Sequence, residues 1–319
     1  MARTIPRHDF FGSTLYILKH MCYYGFKKGG DPMHFVNAKH ILSARNGMNL
    51  YRGCQHGCIY CDARSQCYQM NHVFEDIEVK INAPQLLETA LKARRRPCVI
   101  GTGAMSDPYI PLEEELRLTR KCLELIEKYG FGVTVLTKSD RCLRDLDLLQ
   151  RINDKAKAVV QMTLTTRDEA LCRILEPNVS TTFARYEALK TFRKAGIPTV
   201  VWLSPLVPYL NDTPENVLGI LDYCADAGVK GIINFGMGLT LRDGNREYFY
   251  AALDRHFPGL KEIYIRAYGN AYELPSPRER ELWKLFHEGC EARGILHDND
   301  TVFRYLHALE ETQEQLSLF

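Results

Sequence analysis

Three cysteines stand close together near residue 60 of this sequence. Cys54, Cys58 and Cys61 are separated by three and then by two residues, so one loop can bring all three thiolates to a single metal centre. A cubane iron–sulfur cluster normally takes four cysteine thiolates, one for each iron. Three close cysteines therefore predict a [4Fe-4S] cluster with one iron left open, and an open metal position is where a ligand binds and chemistry starts.

A fourth cysteine keeps a second interpretation open. Cys67 lies six residues after Cys61, so the four thiols together can also be read as a closed, all-thiolate zinc site. Structural zinc sites usually combine two C-x2-C pairs on separate turns, and this stretch offers a single such pair. The spacing therefore favours the iron–sulfur cluster.

Further polar side chains stand at the ends of predicted strands. Ser106 and Asp107 follow the second strand, where they either contact a ligand or cap the next helix. Lys138 ends an otherwise apolar third strand, and an ammonium is costly to bury without a partner. It is therefore expected either to face a ligand carboxylate or to lie exposed on the rim. Thr163 ends the fourth strand, where its hydroxyl either binds a ligand or is ordinary strand content.

Short apolar runs alternate with amphipathic segments around these residues, which is typical of βα units about a parallel sheet. The predicted strands are 49–53, 98–103, 132–138, 158–164, 198–205 and 230–235. Functional residues that follow parallel strands meet at the strands' C-terminal ends, as they do in barrels. The sequence therefore predicts an α/β fold built as a partial (β/α)6 barrel, with an open doubly wound sheet as the alternative.

The predicted barrel covers residues 46–240, with a basic extension over 1–45 and an α-rich extension over 241–319. A net charge of +2 gives no global field that would indicate nucleic acid or a membrane. The start of the chain lacks the apolar segment of a signal peptide, and no apolar run is long enough to cross a bilayer. The eleven cysteines are scattered, as in a reduced protein, so the sequence predicts a cytoplasmic location.

The cysteine loop resembles that of the radical S-adenosylmethionine (SAM) superfamily, in which an aromatic residue, here Tyr60, precedes the last cysteine. The spacing from the cysteines to Ser106-Asp107 and to Lys138 is similar to that of the spore photoproduct lyase-like group, over roughly residues 46–240. The resemblance implies a [4Fe-4S] cluster whose open iron binds SAM. One electron then cleaves SAM to methionine and a 5′-deoxyadenosyl radical, which abstracts hydrogen from a substrate.

The same resemblance implies a role for each matching residue. The cluster ligands are Cys54, Cys58 and Cys61, and the SAM contacts are Tyr60 beside the adenine, Ser106 or Asp107 at the amino group and Lys138 at the carboxylate. If the hydroxyl of Thr163 binds a ligand, the SAM ribose is the group that it would hold. Two further residues, Glu176 and Arg185, either serve SAM or form a salt bridge at the barrel rim. An external flavodoxin or ferredoxin is the expected electron donor, because the sequence shows no second cysteine cluster for an internal relay.

The resemblance also implies a lyase-like reaction on DNA, but two positions depart from the pattern. Ala104 stands where the lyase has a hydrogen-donating cysteine, and Asp62 stands where it has a tyrosine after the last cluster cysteine. A methyl group is a poor hydrogen donor to a carbon radical, so the sequence predicts a different nucleic-acid substrate, in DNA repair or modification. A radical SAM enzyme acting on a small metabolite, peptide or protein is one alternative, and a non-enzymatic metal-binding adaptor is another.

The chain ends in a short apolar peptide. Gln315, Leu316, Ser317, Leu318 and Phe319 resemble the tail by which bacterial polymerases and repair enzymes bind the sliding clamp. Such a tail either lays its apolar residues into a groove on the clamp or packs on its own domain. The first possibility would place the protein at DNA.

Overall fold

The structure is a computed structural model that describes residues 32–309. Its strands are β1 (Met33–Val36), β2 (Gly47–Met48), β3 (Tyr51–Arg52), β4 (Ile77–Lys80), β5 (Val99–Thr102), β6 (Gly132–Thr137), β7 (Ala158–Thr163), β8 (Thr199–Trp202), β9 (Gly231–Ile233), β10 (Gly238–Thr240) and β11 (Glu273–Pro275). Its α-helices are α1 (Ala83–Lys92), α2 (Glu113–Leu116), α3 (Leu118–Lys128), α4 (Leu146–Lys155), α5 (Glu169–Leu175), α6 (Thr182–Lys194), α7 (Pro214–Ala227), α8 (Asn245–His256), α9 (Leu260–Tyr268), α10 (Glu279–Ala292) and α11 (Asn299–His307).

Six parallel strands form the main sheet, in the order β2-β5-β6-β7-β8-β9. Each strand pairs with the next main-sheet strand along the chain, and all five pairings are parallel. A doubly wound sheet would instead reverse its strand order at a switch point. The predicted α/β fold with a partial (β/α)6 barrel is therefore confirmed.

The chain enters the main sheet earlier than the sequence predicts. It joins through β2, and β3 then pairs antiparallel with β4, which pairs parallel with β1 in a separate three-stranded sheet. Lys80 holds this arrangement, because its backbone N–H donates to the Leu50 carbonyl (3.1 Å) and its ammonium donates to the Asn49 carbonyl (2.9 Å). The prediction of one main-sheet strand over 49–53 was wrong, since the competing partner lies almost thirty residues further along the chain.

Successive residues of the central strands pack on opposite faces of the sheet, as strand geometry requires. Val160 and Val201 belong to the large apolar core that the outer helices complete. Their neighbours Val159 and Val200 pack on the other face with Val302 of α11. Both faces are thus covered, which is the usual condition of a parallel sheet.

The described part of the C-terminal extension, 241–309, contains the four helices α8–α11 and the strand β11, which pairs antiparallel with β10. The domain boundaries at 45/46 and 240/241 stay a prediction. The proposed clamp-binding residues 315–319 lie outside the described residues. Between residues 32 and 309, no helix combines the length and the apolar composition that crossing a bilayer requires.

Candidate active site

The cysteine loop starts directly after β3 and ends at a short 3-10 helix, Asp62–Arg64. Its first residue, Gly53, has a φ of 88°, and a Cβ placed there would lie 2.4 Å from the carbonyl oxygen of Phe74. Glycine is therefore required for both its conformation and its size. The N–H of Cys54 donates to the same Phe74 carbonyl (3.3 Å), which fixes one side of the loop.

The other side of the loop is held by the segment that follows α5. Ile59 N–H donates to the Leu175 carbonyl (2.9 Å), and Asn178 N–H donates to the His56 carbonyl (3.1 Å). The side-chain amide of Asn178 also donates to the Gln55 carbonyl (2.9 Å). Hydrogen bonds on both sides thus position the loop that carries the three cysteines.

Cys54, Cys58 and Cys61 are free thiols that line one cavity of about 310 Å³. Burial raises the pKa of Cys54 to about 12, so a thiolate is unfavourable there without a positive partner such as a metal. Cys67 is exposed, its Sγ accepts a hydrogen bond from Arg242 (3.2 Å), and it is not among the described residues that line the cavity. The structure therefore does not form the four-cysteine zinc arrangement.

Ser106 connects the end of β5 to the cysteine loop. Its buried hydroxyl donates to the Gly53 carbonyl (2.6 Å), and its side chain lines the same cavity as the cysteines. Ala104, which stands where the lyase pattern has a hydrogen-donating cysteine, also lines the same cavity as the three cluster cysteines.

The Asp107 side chain contacts the end of β6 and the cysteine loop. Its carboxylate accepts hydrogen bonds from the Thr137 hydroxyl (2.7 Å) and the Lys138 N–H (2.7 Å), and it lies 3.0 Å from Nε2 of His56. Burial opposes its ionisation, but the neighbouring His56 and these hydrogen bonds lower the pKa of Asp107 to about 2. Asp107, which was predicted to contact SAM, lines the cavity. Its carboxylate oxygens accept hydrogen bonds from Thr137 and Lys138.

Stability is expected to depend on the ionisation of Asp107. Because its folded pKa of about 2 lies below its ordinary value of 3.8, the carboxylate stabilises the fold fully above pH 4 and loses this contribution as the pH falls towards 2. We expect Asp107→Asn to lower the free energy of unfolding by about 2 kcal/mol at pH 7 and by much less near pH 2. Urea unfolding of both cluster-free proteins from pH 7 to pH 2 measures this difference.

The exposed Asp300 offers a control, because Asp300→Asn removes a carboxylate that lies on the surface of α11. Its effect on unfolding is expected to stay below about 0.5 kcal/mol at each pH. A difference between wild type and Asp107→Asn that stays constant from pH 7 to pH 2 would contradict the role given to this carboxylate.

Tyr60, Lys138 and Thr163 lie together at the cavity wall. Lys138 Nζ donates to the Thr163 hydroxyl (3.3 Å) and lies 6.0 Å from the centre of the Tyr60 ring. Burial lowers the pKa of Lys138, but its electrostatic interactions with Cys58 and Glu176 outweigh this effect and raise it above its ordinary value. A positive charge is therefore maintained beside the cysteines.

A buried ion pair supports this wall from behind. Arg185 Nη2 lies 2.5 Å from Glu176 Oε2, and both side chains are fully buried. The Tyr60 hydroxyl donates to the Glu176 carboxylate, and Arg185 Nη1 donates to the Thr163 carbonyl (2.6 Å). Of the two roles that the sequence leaves open for Glu176 and Arg185, the structure shows the salt bridge, placed beneath the site and not at the rim.

Sequence reasoning missed three residues of the site. His56 is buried against Asp107, and the signal for it was a histidine between two cluster cysteines. Trp202, the last residue of β8, and Phe235, which follows β9, line the cavity with their ring centres 5.4 Å apart. The Phe235 side chain is 61% exposed, so it offers a flat apolar surface at the cavity mouth.

Comparison with known proteins agrees with this arrangement. Residues 48–214, just over half of the chain, match the radical SAM superfamily. The chain is 31% identical over 254 residues to an uncharacterized protein of Mycobacterium tuberculosis, covering 76% of this chain and 72% of that protein. It is 33% identical over 196 residues to an uncharacterized protein of Methanocaldococcus jannaschii, covering 60% and 70% respectively.

The chain therefore belongs to the radical SAM superfamily, whose members use a [4Fe-4S] cluster and SAM. Within that superfamily its fold is similar to that of spore photoproduct lyase. A complex of that enzyme with dinucleoside spore photoproduct superposes with a TM-score of 0.65 at 15% identity, covering 90% of this chain and 93% of the lyase. A variant with bound AdoMet and the same dinucleoside gives a TM-score of 0.62 at 15% identity, covering 83% and 81%.

The residues that line the cavity suit both the [4Fe-4S] cluster and SAM. Three free thiols on one loop match a cluster with an open iron, and the positive Lys138 beside them suits a ligand carboxylate. A volume of about 310 Å³ falls within the usual range for small-molecule sites. These features agree with the chemistry of the family.

Proposed function

We propose that Cys54, Cys58 and Cys61 hold the [4Fe-4S] cluster and that the chain is a radical SAM enzyme acting on nucleic acid. The observation that carries this proposal is the convergence of the three thiols and Lys138 on one cavity in a chain of this superfamily. When bound, the cluster and SAM together supply a 5′-deoxyadenosyl radical that abstracts hydrogen from the substrate. Members of the superfamily commonly take the required electron from flavodoxin or ferredoxin.

The protein's own residues bind and orient SAM. We assign the SAM carboxylate to the ammonium of Lys138, which Thr163 and the Tyr60 ring already position. Ser106 and Asp107 form the wall at the end of β5, where the SAM amino group is expected. Tyr60 lies beside the adenine, held by its hydrogen bond to the buried Glu176.

Lys138→Met is expected to weaken SAM binding about 10- to 100-fold, because a charge-assisted hydrogen bond contributes about 1.5–3 kcal/mol. Iron content should stay at the wild-type level, since Lys138 is no cluster ligand in this account. Equilibrium binding of SAM to the anaerobic reconstituted protein measures the loss. Lys138→Arg retains the positive charge and should recover part of the affinity, whereas equal affinity of Lys138→Met and wild type would contradict the assignment.

Two observations support a nucleic-acid substrate. The fold is similar to that of spore photoproduct lyase, which is described in complex with a dinucleoside lesion. The exposed Phe235 at the cavity mouth, backed by Trp202, suits stacking of a base taken out of its helix.

Ala104 indicates that the lesion differs from spore photoproduct. Its methyl group faces the cavity at the position where the lyase pattern places a thiol, and a methyl group is a poor hydrogen donor to a product radical. The proposed activity is therefore a lyase-like repair or modification of another damaged or modified nucleotide.

A second candidate substrate is a small metabolite, a peptide or a protein. An adjoining cavity of about 450 Å³ shares Phe235 and Thr240 with the first and is lined by Glu273 and Glu279. These carboxylates would repel a phosphate backbone, so they favour an uncharged or cationic substrate.

The tail residues Gln315, Leu316, Ser317, Leu318 and Phe319 are proposed to bind the sliding clamp. Clamp binding by the full chain, and its loss when the chain ends at Glu314, would support this partner. Equal binding by both chains would refute it.

DNA dependence separates the two candidate substrates. The experiment follows 5′-deoxyadenosine in anaerobic reconstituted enzyme with SAM and dithionite, using no DNA, intact DNA, ultraviolet-damaged DNA and spore-photoproduct DNA. Faster turnover with a DNA sample supports the nucleic-acid proposal. Thymines restored in spore-photoproduct DNA would show that the inference drawn from Ala104 is wrong. Slow turnover that no DNA sample increases would favour a metabolite, peptide or protein.

A further inference from the structure

A second group of metal-binding side chains lies on the three-stranded sheet. Ligand atoms of His34 on β1, and of His72 and Asp76 in the segment before β4, all lie within 4.8 Å of one another. His34 Nδ1 is 3.1 Å from an Asp76 oxygen, and the rings of His34 and His72 meet edge to face at 4.8 Å. The carboxylate of Glu78, which pairs with His34 across the sheet, lies 3.9 Å from His72 Nε2.

Two histidine nitrogens in this group, one on each ring, make no hydrogen bond to a described residue. His34 Nδ1 and His72 Nε2 are both buried, and neither makes a hydrogen bond of acceptable geometry to any described residue. His72 Nδ1 lies 3.0 Å from the Val73 carbonyl, to which it donates in the neutral ring. That bond leaves the lone pair on Nε2, which is the arrangement that metal-binding histidines use.

We propose that His34, His72 and Asp76 bind a divalent transition-metal ion of the zinc type. Two imidazole nitrogens and a carboxylate oxygen are ligands that zinc accepts, and Glu78 or a water can supply the fourth. The present spread of up to 4.8 Å exceeds the roughly 3.4 Å between ligands of a tetrahedral zinc site. His34 and Asp76 are partly exposed, so side-chain rotation can close this difference.

This site is separate from the cluster cysteines but touches the loop that carries them. None of the three ligands is among the described residues that line the active-site cavity. The segment between His72 and Asp76 nevertheless accepts the Cys54 N–H at the Phe74 carbonyl (3.3 Å), and its Glu75 pairs with Arg64 (2.6 Å). A bound metal would therefore stabilise the segment 72–76, which holds one side of the cysteine loop.

The test measures zinc and iron per chain by mass spectrometry after chelator treatment, dialysis against Zn²⁺ and desalting. Cluster-loaded wild type is expected to retain one zinc per chain that His34→Gln and His72→Gln lose. The affinity should fall more than about 100-fold, beyond the effect of losing an outer-shell partner. The control His40→Gln alters an exposed histidine of the same region and should bind zinc as wild type does.

A triple variant separates this site from zinc bound by empty cluster cysteines. Cys54→Ala/Cys58→Ala/Cys61→Ala should contain no cluster and still retain one zinc per chain. Zinc should also raise the melting temperature of wild type but not of Asp76→Asn, which tests the site if a histidine variant fails to fold. The proposal is overturned if wild type retains no zinc after desalting, or if the histidine and aspartate variants retain it equally.

Discussion

Cys58→Ala is expected to remove the cluster from the protein and to abolish SAM cleavage. Cys58 is buried and lines the cavity with Cys54 and Cys61, and its loss leaves two of the three thiolates that hold the cluster in this account. Iron and sulfide analysis after anaerobic reconstitution should fall from about four of each per chain to near zero. Formation of 5′-deoxyadenosine should fall to the background of a reaction without enzyme.

Cys67→Ala is the matched control for this variant. Cys67 is exposed and its thiol contacts Arg242, so its loss should leave iron content and SAM cleavage at wild-type levels. Loss of metal in Cys67→Ala to the same extent as in Cys58→Ala would contradict the three-cysteine site. It would restore the four-cysteine zinc interpretation.

Arg185→Met is expected to destabilise the protein by about 3–5 kcal/mol. The guanidinium is fully buried against Glu176, and its removal leaves a carboxylate that must remain charged without its partner or take up a proton. It also removes the bond to the Thr163 carbonyl at the end of β7. Since whole domains are typically stable by about 5–15 kcal/mol, this loss should be evident in the midpoint of urea unfolding.

The double variant Glu176→Gln/Arg185→Met tests the cause of that loss. If an unpaired buried charge dominates, the double variant should be more stable than Arg185→Met, although it carries one more substitution. A destabilisation of Arg185→Met below about 1 kcal/mol would contradict the role of the ion pair. Equal stability of the single and double variants would assign the loss to packing and to the Thr163 bond.

The main sheet was largely predictable from local sequence. Strands such as β6 and β7 are apolar runs bounded by turn residues and amphipathic helices, and both lie within their predicted ranges. The cysteine spacing likewise predicted that the three thiols can reach one centre, and all three line one cavity. These features depend on patterns within a few consecutive residues, which is the range over which sequence is most informative.

The remaining features depend on pairs that are distant in sequence. The pairing of β3 with β4 is accompanied by the contact of Lys80 with Asn49, and the buried His56 lies against Asp107. Nothing local indicates that Glu176 and Arg185 pair behind the cavity, because a salt bridge and a ligand contact need the same residue types. The position of Phe235 at the cavity likewise depends on the pairing of β9 with β8, which brings Phe235 close to Trp202.

The most direct test of the central claim is reductive SAM cleavage by the anaerobic, cluster-loaded wild-type protein. The account predicts that dithionite and SAM together yield methionine and 5′-deoxyadenosine in equal amounts, and that the triple cysteine variant yields neither. A wild-type protein that holds its full complement of iron, binds SAM and still forms no 5′-deoxyadenosine under reducing conditions would contradict it.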